Sequence, residues 1–211
     1  MKATRIDEIS PGLVHWTVRD ERTGVRCDSY GLMAREGSVL VDPLSAADGV
    51  LGALGNVGAI CLTTASHQRA AWRYRRLFDA PVWAPKHATG LDEPADGWFG
   101  HGDHLPGGLR ALHAPGPTEE SYVLLRERSD AAGILFLGDL LVRGDDGPFE
   151  LPTTDGNGSA DPQRALASLR ALLDVEVETL CPSHGAPLAT GGSEALRRAL
   201  ADEEARAHRR Y

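Results

Sequence analysis

Four apolar runs in this chain break off abruptly into polar loops: Leu62 to Arg69 (LTTASHQR), His113 to Thr118 (HAPGPT), Leu137 to Leu140 (LGDL) and Cys181 to Gly185 (CPSHG). Short apolar runs bounded by Gly and Pro read as buried strands. Proteins of the α/β class gather their sites where such strands end. The first run belongs to a strand–loop–helix–strand unit. Its strand is GAICLT (Gly58 to Thr63), followed by a TASHQ loop, a helical stretch from Arg69 to Phe78 and a second strand APVWAP (Ala80 to Pro85). Ala70, Tyr74 and Leu77 fall at i, i+4 and i+7, which gives the helix one inward face. Such a unit favours parallel pairing with a right-handed crossover.

The first 43 residues read as β structure. Leu13 to Val18, Cys27 to Ala34 and Ser38 to Val41 are separated by turns at Gly24 and Gly37, and Asp42-Pro43 ends the third run. Ser45 is placed to cap a short helix through Leu54. Residues 88 to 108, rich in Gly, Pro and Asp, read as loop, as does Asp145 to Gly158. Between them lie strands Leu109 to His113, Tyr122 to Arg126 and Gly133 to Leu137. Asp161-Pro162 opens a helix to about Leu173, with proline at the first turn where its missing N–H costs nothing. VETLCP is a last strand, and Ser193 to about Arg209 a terminal helix. The whole of 1–211 reads as one domain, with no repeat or low-complexity linker.

Acidic residues outnumber basic ones 30 to 22, for a net charge of −8. Binding to nucleic acid is therefore not expected, because phosphate-backbone affinity rests on clustered Lys and Arg. No run approaches the ~20 apolar residues of a membrane span, and the N-terminal segment lacks an apolar core of signal-peptide length. Cys27, Cys61 and Cys181 form no C-x-x-C pair. A reduced, cytoplasmic protein is the expectation.

With these motifs in this order, the chain resembles the metallo-β-lactamase superfamily, nearest to its compact hydroxyacylglutathione-hydrolase-like members. The resemblance spans about residues 5 to 200 and rests on VDP, LTTASHQRAA…APVWAP, HAPGPT, LFLGDLL and CPSHG. It implies a four-layer αβ/βα sandwich with one or two metal ions, commonly zinc, at the sheet edge. The family's first motif, T-H-x-H-x-D-H, falls on Thr63 to Arg69. Thr64 and Ser66 stand where the first two His belong, Gln68 where the Asp belongs and Arg69 where the last His belongs. Pro117 replaces the His of P-G-H-T. Asp139 matches the bridging Asp, and His184 the final His.

Two of the seven implied ligand positions therefore keep a ligand. A stable zinc site generally needs three or four protein ligands, and Arg stays protonated, so no family-type dinuclear centre is expected. Losing the metal would leave Asp139 uncompensated, and Arg69 is placed to pair with it, with both guanidinium nitrogens available. His67 sits one residue off the ligand positions. A local register shift would bring it to Asp139 and His184, giving three ligands for one zinc, iron or manganese ion and an open position.

GHGDHLPGG (Gly100 to Gly108) mimics a metal motif but follows no apolar strand, so His101 and His104 read as solvated loop residues. His113 reads as a structural hydrogen-bonding residue. His15 and His208 have no sequence neighbours that suggest chemistry. Three functions follow. The leading expectation is a metal-poor protein of this fold, with no cofactor, whose cleft is reused for a small-molecule ligand. The second is a one-metal hydrolase of thioester, lactone or phosphoester type on Asp139, His184 and His67. The third is a metal-free Ser66/His184/Asp139 triad with Arg69 stabilising an oxyanion. The loops at 86 to 108 and 144 to 158, with Trp98 and Phe99, are expected to rim the site. Oligomeric state is left open.

Overall fold

The computed structural model describes residues 1–19, 24–129, 131–144, 147–152 and 161–208. Seven strands form a first sheet in sequential order: β1 (Asp7–Ser10), β2 (Leu13–Arg19), β3 (Arg26–Leu32), β4 (Ser38–Val41), β5 (Val57–Cys61), β6 (Val82–Pro85) and β7 (Gly97–Phe99). Pairing is antiparallel from β1 to β4 and parallel from β4 to β7. Helix α1 (Ala71–Phe78) crosses between β5 and β6, as the strand–loop–helix–strand pattern requires. The second sheet starts with β8 (His104–Leu105), β9 (Leu109–His113), β10 (Tyr122–Arg126) and β11 (Gly133–Gly138). A separate hairpin of β12 (Val142–Arg143) and β13 (Phe149–Glu150) and helix α2 (Pro162–Ala171) follow. Strand β14 (Val177–Pro182) then pairs in parallel with β11, and α3 (Gly192–His208) ends the described chain.

Alternation along the strands builds the layers, because successive side chains point to opposite faces. Val39, Val41, Ala59 and Cys61 of the first sheet meet Leu109, Ala111, Leu124, Ile134 and Phe136 of the second in one buried cluster. Their neighbours Leu40, Ile60 and Leu62 face outward against Ala71, Trp72 and Tyr74 of the α1 layer. Val123, Leu125, Leu135 and Leu137 face the α2 and α3 layer through Leu169, Leu196 and Ala199. The result is helix, sheet, sheet, helix. A one-residue slip in any central strand would exchange its two apolar faces.

Several local expectations are corrected. The turn at Asp48–Leu54 is a 3₁₀ helix with Ala47 before it and no side-chain cap from Ser45. Leu77 is exposed, and α1 instead buries Ala71, Trp72 and Tyr74. The 88–108 stretch contains β7 and β8, and Phe99 is fully buried in the inter-sheet core while Trp98 is exposed. β13 lies inside the expected loop 145–158, of which 145–146 and 153–158 fall outside the described residues. Asp161 does cap α2: its carboxylate accepts from the N–H groups of Gln163 and Arg164, with Pro162 at the first turn. Among the described residues no helix is long and apolar enough to cross a membrane.

Candidate metal centre

Parallel strands bring the polar loops together at one end. Asp42 directly follows β4, Thr63 lies just past β5, Asp139 follows β11 and His184 follows β14. His67 sits in a 3₁₀ turn, Ala65–Gln68, that leads toward α1. The sheets are stitched together here: Tyr122 N–H donates to the Thr63 carbonyl (3.0 Å), and Asp28 N–H to that of Ser183 (2.9 Å).

His67, Asp139 and His184 converge, each offering a ligand atom within 4.8 Å of the others. His67 Nε2 lies 3.2 Å from Asp139 Oδ2, and His184 Nε2 lies 3.4 Å from Asp139 Oδ1. The other ring nitrogens are already engaged. His67 Nδ1 is 2.9 Å from Asp42 Oδ2, and His184 Nδ1 is 2.8 Å from the Arg26 carbonyl. A carboxylate and a carbonyl only accept, so both Nδ1 atoms carry the proton and donate. Both Nε2 atoms thereby face Asp139. This arrangement, with Nδ1–H held by an acceptor and Nε2 turned inward, orients histidine as a metal ligand. Asp139 Oδ1 is buried without a hydrogen-bond partner, an orphan that a cation would satisfy. Two imidazoles and a carboxylate suit one divalent ion with an open position. The residues fit the metal.

Asp42 is the support beneath His67. It is 2 % exposed, and its backbone has φ of 49°. Its carboxylate accepts from Thr63 N–H (2.8 Å), Thr63 Oγ1 (2.6 Å) and Ser183 Oγ (3.1 Å) besides His67. Burial opposes its ionisation, but His67 and these donors outweigh burial and hold it below the usual carboxylate range. Asp139 is lowered for the same reason: burial would raise it, and His67, His184 and Arg69 prevail. Burial would depress His67, yet Asp139 and Asp42 push it up to about 9. In the metal-free chain His67 is thus a cation between two carboxylates.

That pair sets a pH dependence. A group whose folded pKa lies above its unfolded value of ~6.5 stabilises fully below that pH and loses the contribution as pH rises through the folded value. Raising the pH from about 6.5 past 9 is expected to remove roughly 3 kcal/mol of stability from the chelated protein. The depressed carboxylates act oppositely, supporting the fold above about pH 4 and losing that support in acid. Denaturant melts across this range, recorded in chelator, would reveal the decline; in His67→Gln it should vanish.

The remaining expected site residues fall elsewhere. Arg69 does not pair with Asp139. Its backbone has φ of 34°, and its Nη1 donates to the carbonyls of Asp28 (2.9 Å) and Asp42 (3.1 Å). Its charge still lowers both site carboxylates. Ser66 is exposed and makes no hydrogen bond to His184 or Asp139 among the described residues, so the triad is not assembled. Thr64 donates to Glu120 (3.0 Å), and Gln68 accepts from Trp72 Nε1 and Asp92 N–H (both 2.7 Å). Pro117 is buried beside Gly116. The Gln68 bond to Asp92 brings the 86–108 segment against the His67 turn, and Arg143 N–H donates to the His184 carbonyl (2.9 Å). His113 is structural, bonded to the Glu119 carbonyl (2.8 Å). His15 Nε2 meets the buried Asp28 at 2.7 Å. The side chain of His208 lies outside the described residues. The sequence offers no role for Asp28, and marks Asp42 only as the end of a strand and part of the VDP match.

The model of the metallo-beta-lactamase superfamily matches residues 7–202. The fold is similar to a metallo beta lactamase from Hirschia baltica (TM-score 0.70, 19 % identity, covering 96 % of this chain and 98 % of that one). It is similar also to one from Erythrobacter litoralis with beta mercaptoethanol in its active site (TM-score 0.72, 18 % identity, 96 % and 99 % covered). An archaeal superfamily protein from Sulfolobus tokodaii matches with TM-score 0.70 and 15 % identity, covering 90 % and 85 %. At such identities the likeness speaks for the fold alone. No curated protein matches the sequence. The family match spans nearly the whole chain, and with the sandwich and its strand-end cluster it leads to one assignment: this chain belongs to the metallo-beta-lactamase superfamily.

Proposed function

We propose that the chain is a hydrolase that works with one divalent metal ion on His67, Asp139 and His184, acting on a thioester, lactone or phosphoester. The observation that carries this reading is the inward presentation of both Nε2 atoms to Asp139, with each Nδ1 already committed to an acceptor. An ion there supplies Lewis acidity for hydrolysis. Asp42 keeps His67 in the ligating tautomer, and the Arg26 carbonyl does so for His184. Arg69 places a fixed positive charge near Asp139, where the family pattern has a further histidine ligand. That substitution favours one ion over two.

A second reading has its own support. The His67–Asp139 ion pair offsets the Asp139 charge without any ion, which suits a metal-poor cleft that binds a small molecule. Metal analysis separates the two. Protein purified without chelator and dialysed against zinc is expected to hold about one ion per chain. His67→Ala and Asp139→Asn should each weaken zinc binding by more than the roughly 10–100-fold that removal of a ligand's orienting partner costs, since a ligand itself is lost. Chromogenic thioester, lactone and phosphodiester substrates then test turnover. Two ions per chain, or none under excess zinc, would overturn the one-metal reading, and none would leave the binding cleft.

A further inference from the structure

Asp28, on β3, is fully buried. An isolated carboxylate there would be costly, and partners must offset the loss of water. Oδ1 meets His15 Nε2 at 2.7 Å, and Arg26 Nε reaches both carboxylate oxygens at 3.0 and 3.1 Å. Oδ2 accepts from Gly185 N–H at 2.9 Å, while the main-chain N–H of Asp28 donates to the Ser183 carbonyl at 2.9 Å. The residues on both sides of His184 are therefore bonded to this one residue. His184 itself donates from Nδ1 to the Arg26 carbonyl, two positions away on the same strand. The Asp28 carbonyl accepts from Arg69 Nη1, which reaches across to the Asp42 carbonyl. Packing alone would ask for an apolar side chain at this depth. A carboxylate with several directional partners fixes where a loop sits and how its imidazole is turned.

We propose that Asp28 is a positioning residue for the metal ligand His184: it clamps Ser183 and Gly185 so that the imidazole stays on the Arg26 carbonyl with Nε2 toward Asp139. Through Arg69 it also ties the His184 loop to the segment that bears Asp42 and His67. This inference rests on the one-metal reading above. Asp28→Asn keeps the size but puts an amide where one carboxylate oxygen met its donors, so the clamp loosens without leaving a cavity.

Cobalt(II) is the probe, added to the full-length chain. Folded Asp28→Asn is expected to bind cobalt 10–100-fold more weakly than wild type, the usual loss when a ligand's orienting partner is removed, with an altered visible spectrum. Cobalt affinity within twofold of wild type and an unchanged spectrum would overturn the proposal. If wild type itself takes up no cobalt, the one-metal reading fails and the Asp28 clamp is judged on the metal-free chain. There, nitrogen-15 spectra should show His184 held as the single Nδ1–H tautomer in wild type and as a mixture of the two tautomers in Asp28→Asn; identical spectra overturn it. Should the variant not fold, exchange of the Gly185 amide in wild type decides. Strong protection supports the clamp, and exchange at the rate of an exposed amide refutes it.

Discussion

Asp42→Ala is expected to lower the melting temperature by roughly 10–15 °C, from a loss of about 3–5 kcal/mol. The carboxylate accepts from Thr63 N–H, Thr63 Oγ1, His67 Nδ1–H and Ser183 Oγ in a buried setting. Removing it takes the acceptor from all four donors; His67 Nδ1–H keeps the Thr63 hydroxyl within 3.1 Å, and each buried group left unsatisfied costs about 1–3 kcal/mol. Alanine must also adopt the left-handed φ of 49° at this position. Asp42→Asn separates stability from orientation. Its carbonyl can still accept from Thr63 N–H, but its amide then faces His67 Nδ1 and makes that nitrogen the acceptor. The proton moves to Nε2, the ligating atom. Asp42→Asn should therefore melt closer to wild type yet lose zinc affinity at least tenfold, the scale of a lost orienting partner. Scanning calorimetry and a zinc titration measure the two halves. A folded Asp42→Asn with wild-type zinc affinity would refute the orienting role.

Gly185→Ala should be comparably damaging, and for a different reason. A Cβ at this position would stand 1.8 Å from the Arg143 carbonyl oxygen, at φ of 115°. No side-chain rotation relieves a clash between Cβ and backbone, so the loop after β14 must move. A destabilisation of about 3–5 kcal/mol is expected, in the range set by special backbone sites and overpacking, together with loss of zinc binding because His184 moves with the loop. Gly116→Ala is the control: its Cβ would fall 2.5 Å from the Ala165 Cα, at φ of 141°. It should destabilise by a similar amount but still take up zinc below its melting temperature, since Gly116 packs on α2 and not on a ligand loop. Equal zinc uptake by folded Gly185→Ala and wild type would contradict the placement of His184.

The layers were legible in the sequence because they follow from alternation. Val39 and Val41 face the partner sheet while Leu40 faces α1, and the same two-residue period sorts Ile60 from Cys61 and Leu135 from Phe136. Asp139 and His184 were legible because each lies in a polar loop that ends an apolar strand and falls on a ligand position implied by the family resemblance. His67 was harder. Its ligand position depends on a 3₁₀ turn and on the unusual φ of Arg69, and torsions of that kind leave no periodic trace. The available signal was an imidazole in a strand-end loop alongside an aspartate at the end of the neighbouring strand. His15 looked isolated because its partner, Asp28, comes from the adjoining strand β3. β7 and β8 escaped notice because strands of three and two residues carry too few positions to show a period. The expected pairing of Arg69 with Asp139 is not made; its hydrogen bonds go to carbonyls that no residue pattern could have named.

The two sheets are contiguous in sequence, the first closing at Phe99 and the second opening at His104. Asp42 and His67 come from the first half, Asp139 and His184 from the second. A chain divided in the intervening turn would yield two pieces, each with its own helix layer and each exposing one wall of the shared interior. Neither piece would carry three ligands. The candidate metal centre is thus a property of reassembly, and an ion bound there would act as a fastener between halves. Complementation of the separated fragments would then depend on metal concentration in a way the unbroken chain does not.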